Sequence, residues 1–315
     1  MTSTGRPAAP RPRSGDQHTI THGGYRATIA SVGATLRELV LDGRALVAGF
    51  EADDVRPMSR GGLLAPWPNR LDAGTYTFAG RRLRVPITEP ERNNANHGFV
   101  SWQDWALETA AEQSVTLTTR IVPVPGYPFD LVQRVTYTLT DEGLQTTVEA
   151  RNVGADAAPY GLGAHPYLVA GDSPLDDWTL SLPAETLVLV DDRLLPTGTA
   201  PVAHEPGKDF REARAIEGTV LDDAFTGLRA GADGRFTASV VGADGAGTAI
   251  SWDPAVLPWT QVYSSDKPGT PFHRAGLAVE PMTCPANAFN SGEGLLVLEP
   301  GASHTASWLI GPVRA

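Results

Sequence analysis

Four short stretches of this chain combine residue types that could do acid–base chemistry on a polar ligand. Glu280 stands in the apolar run Ala278-Val279-Glu280-Pro281-Met282-Thr283. A carboxylate is expensive to bury unless it is paired or useful, and burial raises its pKa and makes it a better base. A glutamate at a strand end facing solvent would read the same way locally. His165 sits in Tyr160-Gly161-Leu162-Gly163-Ala164-His165-Pro166-Tyr167-Leu168. Pro166 holds the backbone before it extended, and an imidazole pinned there can serve as a general acid near neutral pH. The alternative is a buried histidine satisfied by a backbone carbonyl.

The third stretch is Asn96-His97-Gly98-Phe99-Val100-Ser101-Trp102-Gln103-Asp104-Trp105. Histidine beside glycine, followed by two tryptophans, has the composition of a sugar site: indole faces cover the apolar side of a pyranose, and imidazole bonds to hydroxyls. Core tryptophans and a turn-capping His97 are the plainer alternative. In Ala65-Pro66-Trp67-Pro68-Asn69-Arg70 two prolines fix an extended or turning path. Asn69 and Arg70 at its end are then presented rigidly, either to a ligand or as a capped strand end with a surface arginine.

The elements that must carry these residues are strands. In 114–122, Val115, Leu117, Thr119 and Ile121 alternate with polar residues, as do Val135, Tyr137 and Leu139 in 134–140 and Thr146, Val148 and Ala150 in 144–151. Period two puts one face in a core and the other in water. Asp42-Gly43 between two apolar triplets predicts a hairpin with a primed turn. Asp141-Glu142-Gly143, Asp233-Gly234 and Asp244-Gly245 look similar. Helical signals are confined to short turns at 210–216 and 51–55. No G-x-G-x-x-G, P-loop or internal repeat is present. Many short strands without a central linker suggest an all-β fold, a large sandwich of antiparallel sheets over one domain, 18–315, after a mobile tail at 1–17.

Bulk properties exclude several classes. The 315 residues carry a formal net charge of −11, which argues against nucleic acid and anionic membrane surfaces as partners. The single cysteine, Cys284, allows no disulfide within the chain and no cysteine-based zinc motif. With no apolar run of about 20 residues, no transmembrane helix is expected. The Pro-, Arg-, Ser- and Thr-rich start lacks a signal-peptide core, so the expected location is cytoplasmic.

Taken in order, Pro66-Trp67-Pro68-Asn69-Arg70, His97-Gly98 before Trp102, His165-Pro166-Tyr167, Leu221-Asp222-x-x-Phe225 and Glu280-Pro281-Met282-Thr283 resemble the aldose 1-epimerase (galactose mutarotase) family. Leu298-Glu299-Pro300-Gly301 followed by Trp308-Leu309-Ile310-Gly311 looks like that family's last hairpin, so the resemblance spans about 21–311. The compact segment after His97 is similar to the shorter bacterial branch, which leaves galactose specificity open.

The resemblance implies a β-supersandwich with a sugar cleft and interconversion of the α and β anomers of a free hexose by ring opening and closure. By motif position, Glu280 matches the base at the anomeric hydroxyl and His165 the acid at the ring oxygen. His97, Arg70, Asn69 and Asp222 match sugar-binding positions. Asp222 is preferred over Asp223 because Phe225 then falls at the family's aromatic. Gln261 resembles the glutamine near the catalytic glutamate. No metal and no cofactor are implied, and the protein is expected as a monomer or homodimer. Three alternatives stand beside this: an epimerase of an anionic hexose (a sugar phosphate or sulfonated sugar) bound by Arg81, Arg82 and Arg84 with Arg92 nearby, a non-catalytic sugar-binding protein, and a glycoside hydrolase using two carboxylates.

Overall fold

The structure, a computed structural model, describes residues 10–314. Two large sheets dominate it. The nine-stranded sheet runs Ala106–Ala110, Ser114–Ile121, Leu131–Thr140, Gly143–Asn152, Ser303–Pro312, Gly247–Trp252, Phe236–Val241, Thr179–Ser181, Arg214–Ala215. The second is built on Pro196–Pro201, Ala184–Val190, Asp222–Leu228, Trp259–Tyr263 and Leu277–Met282, and ends in the two-residue strands Gly163–Ala164 and Leu63–Leu64. Tyr167–Leu168 also pairs with Leu277–Met282. A four-stranded sheet at the N-terminal end joins Gln17–His22, Tyr25–Ala30, Thr35–Leu41 and Arg44–Ala45. Adjacent strands run antiparallel in both large sheets.

The alternation read from the sequence is what the nine-stranded sheet buries. Val115, Leu117, Val135, Tyr137, Leu139, Val148 and Ala150 all lie in one hydrophobic cluster that extends from Ile20 to Ile310. Most of their outward neighbours are partly or fully exposed, and Arg134 pairs there with Glu108 at 2.8 Å. The Asp42-Gly43 hairpin forms as expected, with Leu41 opposite Arg44 and both turn residues at positive φ (48° and 84°). Asp141-Glu142 and Asp244-Gly245 also close hairpins, between Thr140 and Gly143 and between Val241 and Gly247. Asp233-Gly234 instead joins strands of the two different large sheets.

Three local expectations need correction. Residues 210–216 form no helix: Arg214 lies 3.9 Å from the Phe210 ring and donates to the carbonyls of Pro206, Gly207 and Asp209, and a short edge strand results. At 51–55 there is only a turn closed by Asp54 N–H on Glu51 O. The expected last hairpin is split, because Leu296–Leu298 pairs with Ala158–Tyr160 whereas Ser303–Pro312 enters the middle of the nine-stranded sheet.

The tail expected at 1–17 also needs correction where the structure describes it. Residues 1–9 lie outside the described residues, but 10–17 are held against the body. Arg11 donates to Asp16, Ser31 and Asp104, buried Ser14 donates to Ala52 O, and Gln17 opens the first strand. One guanidinium donating to three residues ties this segment to Asp104, far along the chain. Among the described residues, helix is limited to the four-residue Ala288–Ser291 and single 3-10 turns, and none is long and apolar enough to cross a membrane.

Candidate active site

Three neighbouring strands of the second large sheet supply the floor of a cleft of about 350 Å³. Their register sets Asp222 opposite Tyr263, Gln261 opposite Glu280 and Tyr263 opposite Ala278. Cross-strand partners share a face and alternate residues share it too. Asp222, Gln261, Tyr263 and Glu280 therefore rise from one face, while Phe225, Val262 and Val279 point into the core. Asp223 faces away and pairs with Lys208 at 2.5 Å, so it is Asp222 that lines the cleft.

His165 follows the strand Gly163–Ala164 and is locked by two backbone bonds, its N–H to Gly62 O (3.0 Å) and its carbonyl from Gly61 N–H (2.8 Å). Its ring stacks on Tyr167, with centroids 5.1 Å apart and planes 11° from parallel. Nε2 then lies 3.2 Å from Glu280 Oε1. Both side chains are almost fully buried, and Glu280 Oε2 has no hydrogen-bond partner among the described residues. Burial, and next the charge of Asp222, push the Glu280 carboxyl well above its usual range, against the pull of Arg70. Burial, followed by His97 and Arg56, pushes the His165 imidazolium well below its usual range. Both directions favour the uncharged form of each group.

The opposite wall comes from Asn69, Arg70 and His97. The strands Arg70–Asp72 and Asn94–Asn96 pair, and Asn69 and His97 adopt left-handed φ of 56° and 66° just beyond them. Asn69 N–H donates to His97 Nδ1 at 3.2 Å. Nδ1 is thereby the acceptor, so the neutral ring carries its proton on Nε2. Burial and then the positive charges of Arg70 and Arg56 push the His97 imidazolium down to about 3. Asn69 Nδ2 donates to Gln261 Oε1 (3.0 Å), and Gln261 Nε2 to Asp222 Oδ1 (2.8 Å). Arg70 makes a two-pronged ion pair with Glu89, whose shortest contact is 2.9 Å.

Gly98 lets His97 reach this position. At φ 64° it passes so close to the Ala65–Pro66 backbone that a Cβ would stand 2.1 Å from Ala65 O. Gly98→Ala is expected to destabilise the fold by roughly 3–5 kcal/mol, since backbone strain and overpacking coincide. A thermal melt equal to that of the wild type would show that the backbone yields and that the close approach is dispensable.

All seven residues singled out in the sequence, Glu280, His165, His97, Arg70, Asn69, Asp222 and Gln261, line this one cleft. The tryptophans do not. Trp67 and Trp105 are core, and Trp102 is 60% exposed against Arg56 outside the cleft. The aromatic rings at the site are Tyr167 and Tyr263. Arg81, Arg82 and Arg84 lie on a hairpin strand away from the cleft, whereas Arg92 and Lys267 line it. Glu89 was missed, although Glu89-Pro90 repeats the glutamate-before-proline pattern that drew attention to Glu280. Met58 and Ser59, in a strained turn at the rim, carry no sequence signal. No cluster of three or more His, Cys, Asp or Glu among the described residues could hold a metal ion.

Residues 16–310 match the sequence pattern of the family described as aldose 1-epimerase. The chain belongs to the aldose 1-epimerase family. It is thus an isomerase with a mutarotase or epimerase role. It is 38% identical over 292 residues to the uncharacterized protein YihR of Escherichia coli K12, covering 92% of this chain and 91% of that one. Human galactose mutarotase is 33% identical over 163 residues, half of this chain and 46% of its own length. The fold is shared with a solved aldose epimerase homologue from C. elegans at a TM-score of 0.81, with 22% identity and coverage of 95% and 99% of the two chains. The family's β-sandwich architecture is accordingly the architecture seen here.

Proposed function

We propose that this epimerase interconverts the anomers of a free hexose, with Glu280 as the base and His165 as the acid. The observation that carries this reading is their direct 3.2 Å contact at the buried floor of a polar cleft. Ring opening moves two protons on oxygens attached to the same carbon, so acid and base must stand side by side. A glycoside hydrolase instead separates two carboxylates by about 5–9.5 Å across the scissile bond.

In this mechanism the reacting form of the pair carries its one titratable proton on His165: Glu280 takes the proton of the anomeric hydroxyl while His165 protonates the ring oxygen. The C1–O5 bond breaks as the C1 carbonyl forms. Rotation about C1–C2 presents the other carbonyl face, and the same two groups exchange roles as the ring closes. His97 Nε2–H donates at the same centre. Arg70, Asn69, Asp222 and Gln261 bind the remaining hydroxyls as one connected network, which fixes the sugar's orientation.

A second reading, an epimerase of an anionic hexose, draws support from Arg92 and Lys267 in the cleft. It no longer draws any from Arg81, Arg82 and Arg84. A non-catalytic binding role is disfavoured because acid and base are both in place. Polarimetry on freshly dissolved α-D-glucose and α-D-galactose tests the proposal. Acceleration of either relaxation is expected. Acceleration only of a hexose phosphate or sulfonated hexose would replace the neutral substrate by the anionic one, and none with any sugar would sink the catalytic reading.

A further inference from the structure

We propose that Glu89 positions Arg70 for sugar binding, holding its guanidinium off Asp222 and aiming its free edge into the cleft. The proposal rests on the epimerase reading above and adds a residue that neither the motifs nor the acid–base pair required.

The geometry is specific. Arg70 and Glu89 have side chains only 11% and 10% exposed. Arg70 Nε donates to Glu89 Oε2 at 2.9 Å and Nη2 to Oε1 at 3.1 Å. This consumes one edge of the planar fork and fixes its plane. What remains is Nη1, which also reaches Asn69 Oδ1 at 3.3 Å, and the outer N–H of Nη2. That second edge offers two parallel donors suited to neighbouring hydroxyl oxygens. Nη2 stands 3.8 Å from Asp222 Oδ2, attracted to it but outside hydrogen-bonding distance. Asp222 instead accepts from Gln261 and keeps acceptor capacity for a ligand.

Without Glu89, only the 3.3 Å bond to Asn69 Oδ1 opposes the attraction between Arg70 and Asp222. The guanidinium would close on Asp222 and both would be lost to the sugar. Glu89 can resist because it is itself held. Asn94 Nδ2 and Arg92 Nη1 each donate to it at 3.1 Å. Arg193, reaching in from a distant loop, braces this turn through Arg92 O, Asn93 O and Asn94 Oδ1. Burial raises the Glu89 carboxyl, but the Arg70 hydrogen bonds and charge, with Asn94 and Arg92, outweigh it and keep the group ionised.

The test uses Glu89→Gln and Glu89→Asp in the full chain, with polarimetric kcat and KM, calorimetric affinity for 1,5-anhydroglucitol, which cannot open, and a thermal melt. Glu89→Gln should raise KM and the 1,5-anhydroglucitol Kd together by roughly 10–100-fold, the loss expected for hydrogen bonds to a charged group. Its kcat should stay within about threefold, because the lost interaction is uniform binding. Glu89→Asp should fall between. Adding Asp222→Asn to Glu89→Gln should cost less than the product of the two single effects, since no anion is left for Arg70 to close on. A lower melting temperature with unchanged KM and Kd would leave Glu89 a purely structural role and overturn the proposal. A fall in kcat at unchanged KM would place Glu89 at the reacting atoms and overturn it too. If the wild type accelerates no mutarotation, the catalytic reading fails, and 1,5-anhydroglucitol affinity still decides the role of Glu89.

Discussion

Glu280→Gln is expected to lower kcat by at least about 10²–10⁴-fold, the contribution of one positioned general base, while sugar affinity changes only a few-fold. The substitution keeps shape and hydrogen-bonding capacity at a fully buried position opposite Gln261, so the register of the three floor strands is retained. What disappears is the ability to accept the anomeric proton. Removing a buried ionisable group does not unfold this region, because the carboxyl is held near its neutral form by burial already. The measurement is polarimetric kcat and KM together with a thermal melt. Turnover within threefold of wild type at an unchanged melt would remove Glu280 from the mechanism.

His165→Asn carries the second large effect, a loss of about 10²–10⁴-fold in kcat for the acid, and the pH profile identifies the cause. In the proposed mechanism the pair works with one proton between its two members. Gaining a second proton removes the base, and losing the first removes the acid. Burial pushes His165 well below the usual histidine range, so the second proton arrives only well under pH 6.5. Burial pushes Glu280 well above the usual carboxylate range, so the first proton is retained to higher pH. Both displacements widen the single-proton window, and kcat/KM of the wild type should run flat through pH 6.5 before falling on either side. A half-loss of activity centred at pH 6.5 would mean that His165 titrates as an ordinary exposed imidazole, contrary to the geometry. In His165→Asn the flat region should vanish along with the rate.

The neighbouring charges explain why these effects concentrate on two residues. Asp222 lies on the same sheet face as Glu280 and adds to its reluctance to ionise, whereas Arg70 opposes it. His97 and Arg56 make His165 a stronger acid. Both environments favour the uncharged forms, so in the proposed mechanism the arrangement with the proton on His165 is the less populated, reacting one.

Much of this protein can be read before any coordinate is known. The strands over 114–122, 134–140 and 144–151, the Asp42-Gly43 hairpin and the seven cleft residues are legible because each depends on local chemistry. Period-two burial, turn residues that accept positive φ, and a histidine or glutamate held by a following proline are all short-range properties. Read locally, however, 210–216 suggests a helical turn or two, and Leu298–Gly301 followed by Trp308–Gly311 suggests a hairpin. Both were decided by partners far away, Thr179–Ser181 pairing with Arg214–Ala215 in one case and Ala158–Tyr160 capturing Leu296–Leu298 in the other.

By itself the sequence determined which side chains could carry the chemistry and that strands, not helices, would present them. Only the tertiary structure decided that Asp222, Gln261 and Glu280 share one face, that Asp223 turns away to Lys208, and that Glu89 holds Arg70 across 19 positions of chain. It also decided that Tyr167 and Tyr263 reach the cleft where the tryptophans do not. The physical reason is that residue type and backbone bias act over a few residues. Strand register between distant segments, and the pairing of buried charges, are settled by the packing of the whole core.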